Sequence, residues 1–406
     1  MNDAAVVGRV LREYHARGID PAALRRAGGS VGSGVVTYLV SPDGAGRSAA
    51  GPPLVRWVVR ACRADAPVPI HVSASPAETM LDWLMTRAST LDWLEARRYP
   101  APRVIRTRSG DAIGMDGIWL TLATTFVDGP LIRPTLAQLR ILGAALGRLH
   151  ALEVGAGAGM GVGDAGRAGA AAGEIGAGGA GAGPGEAGVP GHASWYPQDA
   201  IAATMVRLDA VEALVPDDWQ PLYQQCRGTA RAVGQSLDGL PRGVVHSDAW
   251  PGNAVQSAPD TVTLIDWEAG GLGLPVLDLG NCLIGSLLDS QPTVVGPAGG
   301  RGTGPAAGAR SGAWLVEPDE DRVAAVARGY ALQRVPGASE RAVLPDAVRF
   351  GACYIGAIHL YQALAEGVSG TSMDARLERL RNRMAVSGAV ARLAAPYLAG
   401  GTETVR

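Results

Sequence analysis

Between residues 154 and 191 the chain is almost wholly glycine and alanine, with a scatter of Asp, Glu, Arg and Pro. Such a stretch carries too few large apolar side chains to offset the entropy lost on ordering it. Whatever core the protein builds must therefore close without it. A second run of the same character, roughly 291–312, imposes the same condition further on. Both read as flexible insertions into a fold whose elements lie before, between and after them. Those elements are not short of core material: 47% of the 406 residues are hydrophobic, enough for one large or two ordinary domains.

The order of the elements follows from their patterns. Residues 3–17 and 21–27 read as short helices. "GGSVGSGVVTYLV" (28–40) reads as a glycine-rich turn entering a β-branched strand, and "LVRWVVRAC" (54–62), apolar nearly throughout, as a central strand. From Pro76 to Arg98 the pattern is helical, with "LDWL" at 81–84 and again at 91–94, a local duplication within one long or kinked helix. "YPAPRVIRT" and "GIWLTLATTFVDGP" supply further strands, the second stopped by Asp128-Gly129-Pro130. Residues 135–153 space leucine and alanine by three and four, a helix. After the first insertion, 197–238 is helical; then come "GVVHSDAWPGNAV" (243–255), the strand "TVTLIDW", and mostly helix to the end. Strands early and helices late predict an α+β protein with a small mixed lobe over 1–127 and a larger helical lobe over 128–406.

Several function classes fall away. A formal net charge of −2 gives no electrostatic footprint for nucleic acid or anionic lipid. No apolar run approaches the roughly 20 residues that span a bilayer, and the first residues lack the apolar segment of a signal peptide. Cys62, Cys226, Cys282 and Cys353 are scattered without metal-binding spacing, which predicts reduced thiols in a cytoplasm. The chain contains no lysine, so any cationic role in a site falls to arginine.

One constellation carries chemistry. Asp248 and Asn253 stand five residues apart, and Asp266 closes the next strand thirteen residues after Asn253, itself one of four asparagines in the chain. A strand–loop–strand path folds the two acids back towards each other, setting two carboxylates and an amide oxygen around a small volume. Few, hard oxygen ligands suit Mg²⁺ shared with substrate phosphates; one acid can hold the metal while the other takes a proton from an attacking hydroxyl. A lone Asp-x-x-x-x-Asn is usually a turn; the second acid at the end of the following strand, with "DLG" beyond it, makes this a site.

These motifs, in this order, resemble the aminoglycoside phosphotransferase and choline kinase group, small-molecule kinases with a protein-kinase-like fold. "HSDAWPGN" resembles the group's catalytic loop, written H-G-D-x-x-P-x-N, and "LIDWEAGGLGLPVLDLG" its metal-binding segment. The likeness implies Asp248 as catalytic base, His246 as buttress of its loop, and Asn253 and Asp266 as Mg²⁺ ligands. It places Arg60 on the nucleotide phosphates, backbone groups of Thr125 and Val127 in "TTFVDG" at the adenine edge, and "LGRLHAL" around a structural His150 on a supporting helix. The glycine-rich turn at 28–34, with Ser33, would cover the phosphates. Asp278 is expected to accept backbone N–H bonds at a helix start and support the loop from behind. Trp250 is a candidate for the substrate pocket.

Three departures stand out. Ser247 occupies the usual glycine position, arginine replaces lysine at position 60, and Arg87 falls where a glutamate normally pairs with that cation, so that Glu78 or Asp82 would have to serve instead. The expected reaction moves the γ-phosphoryl group of ATP or GTP, with Mg²⁺, to a hydroxyl of a small molecule, an aminoglycoside-like antibiotic or else an amino alcohol, sugar or nucleoside. No nucleic acid or membrane partner is expected of this monomer or homodimer. A pseudokinase that only binds nucleotide or a partner is the competing class, and Arg87 is its support. Glu317, Asp319, Glu320 and Asp321 cluster in "WLVEPDEDRVAAVARGY". They favour a helix dipole in one reading; in the other, Glu317, Asp319 and Asp321 face the cleft and predict a cationic acceptor.

Overall fold

Val35–Val40 and Trp57–Arg63 are β-rich runs that can satisfy their backbones only sideways, and they pair antiparallel as β2 and β3, Val35 opposite Cys62 and Val40 opposite Trp57. The computed structural model describes residues 8, 11, 14, 24–28, 35–40, 57–66, 68, 79–153, 197–237, 239–287, 318–365 and 373–399. The two insertions, the turn at 29–34 with Ser33, Glu78, Glu317 and most of 3–17 lie outside them. On the outer edge of β2 runs β1, Leu24–Gly28, where the sequence predicts a helix. Five residues are too few to sustain a helix alone, and the open edge of β2 offers their backbone a complete set of partners.

On its other side β3 pairs with β6, Trp119–Thr125, which makes it the central strand its apolar character predicts. The far edge of β6 is shared by β4, Val104–Ile105, and β5, Ile113–Asp116, which pair with successive parts of it. All these pairings are antiparallel.

Against this sheet lies α1, Met80–Ala96, one unbroken helix opened by a capping box of Thr79 and Asp82. Its two "LDWL" segments serve different cores. Met80, Trp83 and Leu84 pack with Val35, Cys62, Ile113, Leu120 and Leu122 of the small lobe, whereas Leu91, Trp93 and Leu94 join the large-lobe core.

The large lobe contains α2 (Leu136–His150), α3 (Pro197–Val211), α4 (Gln220–Ser236), α5 (Pro275–Gly285), α6 (Glu320–Ala331), α7 (Ala338–Leu364) and α8 (Met373–Leu398). Two small antiparallel ribbons are set among them: β7 (Gly243–Val245) with β10 (Gly271–Gly273), and β8 (Ala254–Ala258) with β9 (Thr261–Leu264). The chain entering this lobe is stitched to β8 by Ile132 N–H on the Ala254 carbonyl and Gln256 N–H on the Pro130 carbonyl, both 2.9 Å. Helices α2 and α6 meet backbone to backbone. A side chain at Gly143 would overlap the carbonyl of Val326, and one at Gly329 that of Arg140, so only glycine permits this approach. It brings His150 and Tyr330 together.

The expectation of four reduced thiols is corrected. Cys226 on α4 and Cys353 on α7 form a disulfide, with Cα atoms 5.4 Å apart; Cys62 and Cys282 are free and buried. Cysteines 127 residues apart carry no pairing signal in the sequence; the side-by-side packing of α4 and α7 supplies it. Among the described residues no helix is long and apolar enough to cross a membrane.

Candidate active site

The chain leaves β7 at Val245 and makes its catalytic loop over 246–253. His246 is fully buried, and both ring nitrogens are engaged by backbone. Nε2–H donates to the Ile265 carbonyl (2.9 Å), Nδ1 accepts from Asp248 N–H (3.3 Å), and the ring packs edge-on against Trp267. Burial pushes its pKa down and favours the neutral ring, which its two hydrogen bonds fix in place. Ser247 follows with φ of 64°, the left-handed region in which a side chain is strained. The strain is held in place from both sides: Ser247 N–H donates to Asp278 Oδ1 (3.0 Å), and Asn281 Nδ2 donates to the Ser247 carbonyl (2.7 Å).

Asp248 comes next, half-buried, with Asn253 Nδ2 donating to its Oδ2 at 2.5 Å and to its carbonyl at 3.1 Å. The β8–β9 hairpin then returns the chain. Ala254 pairs with Leu264, and Ile265 N–H reaches the Asn253 carbonyl (2.9 Å), so Asp266 emerges beside the loop it left, as the spacing predicts. Burial first, and then the charge of Asp266, pushes the Asp248 carboxyl up to about 8.

Behind the loop runs a buried chain of polar groups. Asp278, in the first turn of α5, takes N–H bonds from His246 (2.6 Å) and Ser247, so its backbone donors come from the catalytic loop and not from its own helix start. Its Oδ2 also accepts from His150 Nε2 (3.1 Å), while His150 Nδ1 accepts the Tyr330 hydroxyl proton (2.9 Å). Tyr330 accepts from Arg334, and Arg334 forks onto both oxygens of Glu340, each at 2.8 Å. Burial would raise Asp278, but the His150 hydrogen bond and the nearby imidazoles outweigh it and hold the carboxyl below its usual range. Burial lowers His150, which stays neutral.

Arg60 projects from the centre of β3, where its neighbours across the sheet are Thr37 and Leu122. Its guanidinium lies 3.2 Å from Asp266 Oδ1 and in contact with Glu268 Oε1. Burial alone would lower its pKa; the carboxylates of Glu268 and Asp266 outweigh that and keep it charged. Arg87 takes up the helix position expected of a glutamate, and it does not stand against Arg60 uncompensated. It stacks on Trp83, 3.8 Å from the ring centre, donates to the Trp83 carbonyl, and shares with Arg60 an attraction to Glu268. Asp82 is spent on capping its own helix. The acid that serves Arg60 is Glu268, two residues after Asp266. "IDWE" contains that signal, but only the folded chain brings it to β3. At the other end of the small lobe, Thr125 N–H donates to the Arg103 carbonyl (2.9 Å), and Val127 lies two residues past the strand end, partly exposed.

A cavity of about 330 Å³ joins these groups. Asp248, Trp250, Asp266 and Glu268 line it from the loop and the segment after β9; Tyr354 and Arg383 line it from α7 and α8. Asp319 and Asp321 are not among its described lining residues. Asp319 caps α6, accepting from Arg322 N–H (3.1 Å), and Asp321 lies exposed in the first turn, the helix-dipole alternative of the sequence reading. A hard divalent cation fits the donor set near Asp248. Asn253 Nδ2 is occupied by Asp248, which leaves Oδ1 as its ligand end, and Asp266 adds a carboxylate 44% exposed. Among the described residues no group of three or more His, Cys, Asp or Glu is assembled for a metal.

Arranged in this way, the groups can hold a metal-bound polyphosphate and take a proton from a hydroxyl; with the two-lobed α+β frame they define a kinase-like phosphotransferase. The chain belongs to the phosphotransferase enzyme family APH, whose model matches residues 37–324. Solved structures of similar fold include an amicoumacin kinase in complex with AMP-PNP, Ca²⁺ and Ami (12% identity, 94% of this chain and 92% of that chain covered, TM-score 0.59). A microcompartment-associated aminopropanol kinase (17%, 98% and 99%, TM-score 0.52) and the choline kinase of Cryptosporidium parvum Iowa II (10%, 94% and 94%, TM-score 0.54) share it too. No curated protein matches the chain.

Proposed function

We propose that the protein transfers the γ-phosphoryl group of ATP or GTP to a hydroxyl of a small molecule, with Asp248 as base. The observation that carries this reading is the Asp248 carboxylate. It opens on the cavity beside Asp266 and is aligned by Asn253, which sets a carboxylate where it can accept a hydroxyl proton. Mg²⁺, when held by Asp266 and Asn253, would offset the charge of the β- and γ-phosphates. Asp248 orients the acceptor hydroxyl and removes its proton as the new O–P bond forms. Arg60 leaves Asp266 for the phosphate oxygens, which a guanidinium grips in a fork. His246 and Asp278 keep the loop in register throughout. Because phosphoryl transfer is mainly positioning and electrostatics, no covalent enzyme intermediate forms. A nucleoside triphosphate donor also supports a cytoplasmic site of action.

The pseudokinase reading drew on repulsion between Arg87 and Arg60. The shared attraction of both guanidinium groups to Glu268 removes that support. The test measures ADP release with Mg·ATP and Mg·GTP against a panel of hydroxyl-bearing acceptors. Asp248→Asn should bind Mg·ATP normally but lose on the order of 10²–10⁴-fold in kcat. Asp266→Ala should lose Mg²⁺-dependent nucleotide binding in calorimetry. Near-native turnover in Asp248→Asn would rule out the base; unchanged Mg·ATP affinity in Asp266→Ala would return the chain to the pseudokinase class.

A further inference from the structure

Asp248 is aimed by the peptide group that precedes it, and both ends of that peptide are tied. Its N–H donates to His246 Nδ1 at 3.3 Å, and its carbonyl, that of Ser247, accepts from Asn281 Nδ2 at 2.7 Å. For an N–H donor the first bond is long and the second short, so Asn281 supplies the firmer hold. Asn281 stands one turn after Asp278 on α5, and the two side chains grip Ser247 from opposite ends, Asp278 Oδ1 taking its N–H at 3.0 Å. Between them Ser247 keeps a φ of 64°, a conformation that a residue with a side chain leaves readily when nothing holds it.

Asn281 is 7% exposed and lines the cavity with Asp248, yet among the described residues its buried Oδ1 has no hydrogen-bond partner. A buried acceptor without a partner is unfavourable, and an apolar side chain in its place would avoid the loss. The amide therefore destabilises the fold at its oxygen end, and its use lies at the nitrogen. Helix α7 closes on it as well. A side chain at Gly351 would stand 3.0 Å from Asn281 Cα and 3.2 Å from Oδ1, which leaves the amide little room to swing away.

We propose that Asn281 is a positioning residue for phosphoryl transfer: by holding the Ser247 carbonyl it fixes the peptide before Asp248 and so aims the carboxylate at the acceptor hydroxyl. This rests on the phosphotransferase reading and adds to it a residue that acts through the loop and not on the substrate. With the Nδ2 bond gone, that peptide keeps only its long bond to His246 and can turn between Ser247 and Asp248. Such a turn swings the Asp248 side chain but leaves Arg60 on β3, and Asp266 and Glu268 after β9, where they are. The role is therefore separable: it falls on kcat and not on nucleotide binding. It also depends on residue 247. Glycine enters the left-handed region without strain, so a loop with glycine there needs the tie less.

The test is a double-mutant cycle on the full chain, with Asn281→Ala and Ser247→Gly made alone and together. With the best acceptor of the panel, Asn281→Ala should lower kcat on the order of 10–10²-fold, while KM for Mg·ATP and for that acceptor stays within about threefold. In the Ser247→Gly background the same substitution should lose less, by a factor of about three or more. Asn281→Asp, equal in size but without the donor, should behave as Asn281→Ala does. Independently of turnover, hydrogen exchange at the amides of 246–248 should quicken in Asn281→Ala, and exchange in the β8–β9 hairpin should not. An unchanged kcat, an equal loss in both backgrounds, unchanged exchange at 246–248, or a rise in KM for Mg·ATP as large as the fall in kcat would overturn the proposal. Thermal melts check folding; if neither Asn281→Ala nor Asn281→Asp folds, in either background, the residue is structural and the proposal falls too. Faster exchange at 246–248, with no transfer by the wild type to any acceptor, would sink the phosphotransferase reading and the role in transfer with it, while the hold on the loop stood.

Discussion

The loop at 246–253 and the Arg60 corner meet at Asp266 and Glu268 and are held by opposite means. Behind the loop, the polar groups at its root are buried and nearly all neutral, and its backbone is held through partners fixed in helices: Asp278 on α5, His150 on α2, Tyr330 on α6. Around Arg60 the contacts are ionic and reach solvent, and one of them, to Asp266, would be given up if a metal took that carboxylate. A satisfied buried network has one good arrangement and resists change. Ion pairs in a wet cavity can exchange partners at small cost. The loop is therefore built to be the same with and without ligand, and the Arg60 corner to rearrange on binding.

Asp278→Ala is the strongest way to break the loop side. It leaves two backbone N–H groups and the His150 ring without their acceptor in the interior, and should cost about 3–5 kcal/mol in urea unfolding. The same network predicts a direction with pH. His150 and His246 have lowered folded pKa values, so the unfolded chain takes up their protons first and stability falls as pH drops below about 6.5. Asp278, lowered as well, adds a further loss below about 4, as pH falls towards its folded value. Thermal melts between pH 7.5 and 3.5 read both; a Tm that rose on acidification through pH 6 would contradict a neutral network.

On the ionic side the expected effects are smaller and fall on binding. Glu268→Gln should leave Tm nearly unchanged but raise KM for Mg·ATP roughly tenfold, about 1.4 kcal/mol, because Arg60 and Arg87 lose the acid they share. If that variant melted as low as Asp278→Ala, the two regions would not differ in kind. Smallest of all is Ser247→Gly. It relieves a left-handed residue strained by roughly 1–2 kcal/mol, while freeing the unfolded backbone costs a comparable amount. Stability within about 1 kcal/mol of wild type and kcat within twofold are expected; a large loss of activity would mean that the Ser247 side chain, and not only its backbone, is used.

What could be read in advance was local. Asp248, Asn253 and Asp266 lie on one hairpin, so their spacing already contains their meeting point, and the fold needed only the early strands and late helices. Asp278 was legible as an acceptor of backbone N–H groups, but not whose: that depends on how β7 enters beside α5. Arg60's partner and Arg383's place in the cavity depend on contacts between segments far apart in sequence, and a buried arginine in "RLERLRNRM" looks like any other on a polar helix. Residues 24–28 form a strand and not the helix their pattern predicts for the same reason, their partner being an edge that exists only after β2 and β3 have paired. The acid run before α6 drew attention by charge density alone, which does not say which way an acid faces.

Helix α1 is rooted at both ends. Trp83 is sunk in one core and Trp93, ten residues on, in the other, with no break in the backbone between them. Mechanically this is a strut. Parting the lobes along that side would draw a tryptophan out of one core or the other. Arg87 lies midway along the strut, attracted to Glu268. From there its charge helps to keep Glu268 beside Arg60.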